Sequence, residues 1–330
     1  MKIAHKLCVF CANIAPSIAL NVAPYPHKTA SARVSAPNYP APTMNPKPIA
    51  HPDAPDAGIA PPAPHSALPA FGLIVVGDEI LSGRRADKHI PKVIELLGAR
   101  ALSLSYVHIV GDEPARLVTL LRQACSSGDV VLCCGGIGAT PDDHTRQAAA
   151  AALGVDLHMH PQARTLIEQR MREHSERKNE AFEPTRADNL QRLQMACLPQ
   201  GAQIIPNPFN RIPGFSVGHV HCFPGFPIMT WPMMEWVLDS YYTPWQHLRD
   251  WCELALIVSG RQEAVLTALM QHIEQQWPDV KVFSLPSINH PVYGSHIELG
   301  VKGAKQSVQA AFTALQQGLQ ALWASWQLPD

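Results

Sequence analysis

Residues 129–153 of this 330-residue chain read DVVLCCGGIGATPDDHTRQAAAAAL, and this stretch decides the fold. The apolar run at 130–134 has glycines on both sides, which predicts a short buried β-strand. The sequence TPDD at 140–143 is a helix-start signal, and the alanine-rich run that follows it consists of strong helix formers. The stretch therefore predicts a strand, a glycine-rich turn and a helix in succession.

The glycine-rich turn is a candidate anion site. Gly135, Gly136 and Gly138 can adopt positive φ angles and let another molecule approach the backbone closely. A turn of this kind that leads into a helix N-terminus directs free N–H groups and the positive end of the helix dipole at its ligand. We expect these three glycines to bind a phosphate group through their backbone.

An acid pair follows the turn and has two interpretations. Asp142 and Asp143 would repel a bare phosphate, so a phosphate site here requires a divalent cation between the carboxylates and the ligand. Alternatively, Thr140 is the N-cap, Pro141 is the first helical residue and the two acids occupy the first turn. Such capping stabilises a helix by about 1 kcal/mol and implies no catalysis. This stretch alone supports both interpretations equally.

Length and composition limit the class of protein. At this length the chain should form two domains, and its apolar fraction of 46% is ample for their cores. The net charge of −1 and the pI of about 7.0 give no electrostatic reason to expect nucleic acid or a membrane as a partner. Eight scattered cysteines fit a reducing cytoplasm better than a disulfide framework. We therefore expect a cytoplasmic protein.

The N-terminal segment differs from the rest of the chain. Residues 1–70 are rich in proline and alanine and carry few periodic apolar positions. Such a segment cannot bury enough apolar surface to offset the entropy lost on ordering, so we predict that it is disordered. We expect translation to begin at Met44 or nearby rather than at residue 1.

Residues 71–245 are predicted to form an α/β domain. A strand at 73–76 is followed by the turn GDEILSG at 77–83 and by a helix that begins at Asp87, with Ile90, Val93, Ile94 and Leu97 on its apolar face. A strand at 102–110, a helix at 114–125 and the central strand come next. This alternation predicts a three-layer, mainly parallel sheet wrapped by helices.

Ligands of such sheets bind beyond the carboxyl ends of the strands, and each of the three strands ends in an acidic turn. The loop FPGFP at 223–227, between a predicted strand and helix, should reach the same edge. We therefore expect five carboxylates to lie beside the glycine turn: Asp78, Glu79, Asp112, Asp142 and Asp143.

A smaller unit follows at residues 246–330. Strands at 254–258, 280–285 and 295–301 alternate with a helix that Ser259 caps and with a long helix at 304–326, which predicts an α+β domain of βαββα order. This unit has a core of its own but no catalytic constellation. It is interpreted as a packing, dimerising or substrate-covering domain.

With these motifs identified, the chain resembles the CinA-like (competence/damage-inducible) branch of the molybdopterin-binding-domain superfamily, which also includes molybdenum-cofactor biosynthesis proteins. The resemblance rests on GDEILSG at 77–83, VGD at 110–112, GGIGATPDDHT at 135–145, Asn207 with PGF at 213–215, and PGFP at 224–227. It covers residues 71–242 well and the βαββα tail more loosely. The order and spacing of several motifs make it specific.

The chain departs from the family pattern in three places. Ala139 stands where the family often has proline, and Asp87-Lys88-His89 stands where it often reads Asp-Thr-Asn. The nicotinamide-nucleotide amidase domain of many relatives is absent from a chain that stops at Asp330, so deamidation is not expected.

The resemblance implies a homo-oligomer, a dimer or trimer, that binds a pterin or nucleotide phosphate. The hypothesis it favours is divalent-metal-dependent hydrolysis of a nucleotide pyrophosphate such as ADP-ribose. Mg²⁺ or Co²⁺ would be held by Asp78, Asp142 and Asp143, with Glu79 or Asp112 as base. Further ligand contacts are expected from Thr140, Thr145, Asn207, Pro224 and Gly225. The alternative is a module that binds molybdopterin or a nucleotide without catalysis and serves molybdenum cofactor metabolism.

Overall fold

The structure is a computed structural model that describes residues 69–248 and 251–329. The disorder predicted for residues 1–70 falls almost entirely outside these ranges. In chain order the first part contains β1 (Phe71–Val76), α1 (Asp78–Leu81), α2 (His89–Gly98), β2 (Leu104–Val110), α3 (Pro114–Ser127), β3 (Val130–Cys134), α4 (Thr145–Leu153), β4 (Leu157–Met159), α5 (Pro161–Arg177), α6 (Ala187–Leu193), β5 (Cys197–Pro199), β6 (Gln203–Ile205), β7 (Gly214–Val217), β8 (Val220–Phe223) and α7 (Pro227–Tyr241).

The six-stranded sheet has the order β2-β1-β3-β8-β7-β6. Strands β2, β1, β3 and β8 are parallel, whereas β7 is antiparallel to both β8 and β6. Every residue of β1 and of β3 is buried, as expected for strands covered by helices on both faces. The prediction of a mainly parallel sheet is confirmed.

Two apolar cores lie on opposite faces of this sheet. One joins Ile74 and Cys133 to helices α3, α4 and α5, and the other joins Leu73 and Cys134 to helices α2 and α7. Successive residues of a strand point to opposite faces, so each strand contributes to both cores. The result is the expected three-layer arrangement. The thiols of Cys133 and Cys134 and that of Cys222 on β8 are at most 1% exposed.

Three local predictions were wrong. The turn predicted at 77–83 contains the one-turn helix α1, whose Ser82 N–H donates to the Asp78 carbonyl. Helix α2 buries Leu96 rather than Ile94, which is 54% exposed, because the core lies closer to the Leu97 side of the helix.

The third error concerns the start of helix α4, which begins at Thr145 rather than near Thr140. The Thr145 N–H donates to the Gly136 carbonyl at 2.9 Å, so residues 137–144 form a loop closed by this bond. Asp142 and Asp143 lie in that loop instead of the first helical turn. The capping interpretation of the acid pair is therefore wrong.

The smaller domain contains β9 (Trp251–Ser259), α8 (Glu263–Gln276), β10 (Val280–His290), β11 (Gly294–Ala304), α9 (Lys305–Ala321) and β12 (Ser325–Gln327). Its antiparallel sheet has the order β10-β11-β9-β12, so the predicted βαββα order is confirmed with one added strand. The last helix ends before Trp326, because Trp323 adopts a positive φ of 52° and the chain turns to pair with β9. Ser259 ends β9, and the residue that precedes α8 is Gln262. Within 69–248 and 251–329, no helix has the length and apolar character needed to cross a membrane.

Candidate functional site

The candidate site lies at the edge of the large sheet where the parallel strands end. The turns after β1, β2, β3 and β8 meet at this edge because these four strands are parallel. The loop between β6 and β7 reaches it as well, since two antiparallel pairings give β6 the direction of β8. We call this edge the rim.

Tight packing fixes the glycine turn at the centre of the rim. Gly135 and Gly136 have φ angles of 108° and 70°, a backbone region that favours glycine. A Cβ on Gly135 would lie 2.3 Å from the Val76 carbonyl oxygen, and one on Gly136 would lie 2.3 Å from Thr145 Oγ1. Both positions therefore require glycine for conformation and for space.

Thr145 stabilises this turn from within. Its hydroxyl donates to the Gly135 carbonyl at 2.8 Å, and its side chain is fully buried. The contact with ligand that the sequence suggested for Thr145 is replaced by a contact with the turn itself.

The turn presents unused backbone donors. In the part of the chain that the structure describes, the N–H groups of residues 136–139 have no acceptor. The Gly135 N–H, by contrast, donates to the Phe223 carbonyl at 3.0 Å. Consecutive free N–H groups in a loop before a helix form a concavity that favours an anion. The turn therefore has unused donors of the kind that an anion site requires, and phosphate binding by the three glycines remains a prediction.

The acidic turns after β1 and β2 are joined by reciprocal hydrogen bonds. The Asp78 N–H donates to Asp112 Oδ2 at 3.0 Å, and the Asp112 N–H donates to Asp78 Oδ1 at 3.3 Å. Burial raises the pKa of Asp112 above its ordinary value, and the negative charges of Asp78, Glu79 and Asp142 raise it further. Asp112 therefore lies close enough to these three carboxylates to be repelled by their charge.

The fifth acid, Asp143, is turned toward its own loop. Its Oδ2 accepts hydrogen bonds from the Thr140 N–H at 2.8 Å and from the Thr140 hydroxyl at 2.5 Å. The same oxygen would lie 2.5 Å from a Cβ on Gly138. Thr140, Asp143 and Gly138 therefore shape the loop together, while Asp142 remains exposed to solvent.

The carboxylates fit a hydrated divalent cation better than a metal caged by protein. Among residues 69–248 and 251–329, no group of three or more His, Cys, Asp or Glu side chains is arranged to hold a metal ion. Mg²⁺ commonly uses only one or two carboxylates together with water and substrate oxygens. Asp78 and Asp142 can provide such ligands, and the repulsion that Asp112 feels from its neighbours would be relieved by a cation bound beside it. The metal remains a prediction.

Two further loops complete the rim. The 207–212 loop is held by Asn207, which is 5% exposed and donates to Asn210 Oδ1 and to the Ile212 carbonyl, both at 2.8 Å. Asn207 therefore uses its amide within the loop. The Pro224 carbonyl accepts from the Thr230 hydroxyl, and a Cβ on Gly225 would lie 3.5 Å from the Gly135 Cα. The second loop thus contacts the glycine turn directly.

The structure adds two residues that sequence reasoning did not place in the site. His89 is buried, its Nε2 donates to the Gly225 carbonyl at 3.1 Å, and its Nδ1 has no partner among the described residues. The departure from the family pattern at 87–89 was the available signal for this residue. Arg146 is 4% exposed and donates a hydrogen bond to the Gly138 carbonyl of the glycine loop. Nothing in the local sequence indicates that its side chain turns inward.

Comparison with known proteins identifies the family. A family model described as a probable molybdopterin binding domain matches residues 72–243, the part of the chain that carries the rim. The chain belongs to this family. A CinA-like protein of Anaeromyxobacter sp. (strain Fw109-5) is 33% identical over 160 residues, which are 47% of this chain and 37% of the relative. The resemblance to the CinA-like branch is confirmed.

Other relatives differ in how much they share with this chain. A protein of Pyrobaculum calidifontis is 27% identical over 261 residues, which are 76% of this chain and 94% of the relative. The crystal structure of CinA from Thermoplasma acidophilum, whose function is described as unknown, is 26% identical, covers 52% of this chain and has a TM-score of 0.44. The chain spans less than half the length of the CinA-like relatives, 37% to 40% for the Anaeromyxobacter proteins.

Proposed function

We propose that the rim binds the phosphate groups of a nucleotide or pterin and hydrolyses a nucleotide pyrophosphate of the ADP-ribose type with a divalent metal. The observation that carries this proposal is an acidic cluster around Asp112, which feels the charges of Asp78, Glu79 and Asp142, at the same rim as a turn with free backbone N–H groups. The free N–H groups suit an anion, and the carboxylates suit a cation. A metal-bound pyrophosphate combines both.

Each residue has a distinct part in this mechanism. The N–H groups of residues 136–139 orient one phosphate of the ligand. Asp78 and Asp142 would hold the metal, which supplies charge neutralisation and a more acidic water when bound. Asp112 is the better candidate for the base, because its raised pKa favours uptake of a proton. Asp143 positions the loop through Thr140, and Glu79 adds to the negative field.

A second candidate function is binding without catalysis. It is favoured by the lack, in the described ranges, of three converging metal-ligand side chains. The description of the family as a probable molybdopterin binding domain also supports it. In that case the rim would hold molybdopterin or a nucleotide and release it unchanged.

Incubation of the full chain with ADP-ribose, with and without Mg²⁺ or Co²⁺, separates the two functions. Metal-dependent release of AMP that Asp142→Asn abolishes supports hydrolysis. Asp156→Asn is the matched control, because Asp156 is an exposed carboxylate beyond the C-terminal end of α4, away from the rim. Full activity of Asp142→Asn excludes its metal role. Binding detected by calorimetry without AMP release favours the second function.

A further inference from the structure

Arg146 is a buried cation whose charge is not neutralised by an ion pair. It is the second residue of α4 and is 4% exposed. Within the described residues it forms no salt bridge and its Nε has no partner. Burial lowers its pKa, and the charge of Asp143 offsets this effect only weakly. A buried charge without a counter-ion is unfavourable, so this arginine requires an explanation.

The hydrogen bonds of Arg146 all go to backbone carbonyls. One amino group donates to the carbonyls of Gln194 and Cys197, the latter at 3.2 Å, and the other donates to the Gly138 carbonyl at 2.7 Å. Gln191 acts similarly, since its Nε2 donates to the Ala139 carbonyl at 2.6 Å. Two consecutive peptide groups of the loop are therefore held by their oxygen atoms.

The hydrogen bond from Arg146 to the Gly138 carbonyl determines where the Ala139 N–H points. The C=O and N–H of a trans peptide point in opposite directions, so the Ala139 N–H points away from the side chain that binds the Gly138 carbonyl. That N–H and those of residues 136–138 lack acceptors in the described part of the chain. Arg146 thus lies on one side of the Gly138–Ala139 peptide, and the unused Ala139 N–H points to the other side, where a ligand can bind it.

We propose that Arg146 is a positioning residue that makes the glycine turn a phosphate site able to bind its anion without a metal. The guanidinium orients the loop and supplies the positive charge that offsets the carboxylates of the rim. A phosphate group bound to the Ala139 N–H would lie across the peptide from Arg146, so its charge would partly offset that of the guanidinium without direct contact. This inference rests on the proposed function only for the ligand class. In this inference the metal is needed for hydrolysis but not for phosphate binding.

The test measures binding of inorganic pyrophosphate to the full chain in EDTA, by calorimetry and by the shift in melting temperature. The wild type should bind and melt at a higher temperature with pyrophosphate than without it. Arg146→Gln should lose affinity at least tenfold, whereas Arg146→Lys, which keeps the charge but not the forked contacts to the three carbonyls, should recover only part of that loss. A merely structural role would lower the melting temperature of both variants without this split in affinity.

Arg164→Gln is the matched control, because Arg164 lies on the exposed face of α5 and pairs with Glu168 at 2.7 Å. If Arg146→Gln does not fold, the wild-type result in EDTA decides whether binding needs a metal, and the affinity of Arg146→Lys decides the role of the side chain. Binding that requires Mg²⁺, or affinity that Arg146→Gln leaves unchanged, would overturn this inference and leave the proposed hydrolysis intact. Failure of ADP-ribose to bind with or without metal, while pyrophosphate binds in EDTA, would reject the nucleotide function alone.

Discussion

Replacement of Gly135 by alanine should destabilise the protein more than any simple conformational penalty predicts. The φ of 108° is unfavourable for alanine and costs about 1–2 kcal/mol. The new methyl carbon would also lie 2.3 Å from the Val76 carbonyl oxygen, a backbone atom at the end of a fully buried strand. Overpacking of this kind costs about 1–3 kcal/mol, which gives a total of roughly 2–5 kcal/mol. That is a large part of a typical stability of about 5–15 kcal/mol.

Gly154→Ala separates the two contributions. Gly154 also has a positive φ, 68°, but no heavy atom lies within 4 Å of its Cβ position. This variant should therefore lose only about 1–2 kcal/mol. Equilibrium urea denaturation followed by circular dichroism measures both losses. Equal losses in the two variants would refute the argument that contact between β1 and the turn fixes the conformation of the rim.

Two further predictions concern pH. Asp112→Asn should raise stability at neutral pH by at most about 1 kcal/mol, because asparagine can still accept from the Asp78 N–H but carries no charge for its neighbours to repel. The pKa of Asp112 is raised in the folded state, so this carboxylate is protonated, and no longer repelled, once the pH is below that pKa. The difference in melting temperature between variant and wild type should therefore disappear as the pH is lowered. A difference that stays constant with pH contradicts this reasoning. Burial lowers the pKa of His221 from 6.5 to about 3, so stability should decline as the pH falls through this window, where only the unfolded chain takes up the proton. His221→Gln should show a shallower decline in urea midpoint over the same window, and an equal slope would exclude His221 as a cause.

The sequence predicted best those elements that local patterns determine. Strand β3 was predicted at its observed bounds, because a short apolar run between glycines has few alternatives. The meeting of the acidic turns also followed, since parallel strands bring their carboxyl ends to one edge. The charges of these neighbouring carboxylates raise the pKa of Asp112.

The details that sequence did not predict depend on partners distant in the chain. The capping pattern at 140–143 is a sound local signal, but the Thr145–Gly136 hydrogen bond closes a loop there and delays the helix. Arg146 would be expected on the surface, yet its partners Gln194 and Cys197 lie 48 and 51 residues away. Such contacts form only when the fold is complete. The structure of the rim therefore depends on residues whose roles cannot be predicted from the sequence on either side of them.

The buried thiols of the two central strands are protected from chemical modification as long as the protein stays folded. Cys133 and Cys222 face each other across the β3–β8 pair, and both are fully buried. Thiols react as thiolates and only where reagents reach them. Alkylating or oxidising agents can attack these sulfur atoms only when the sheet opens. Covalent modification of these core thiols therefore marks the molecules in which the sheet has opened.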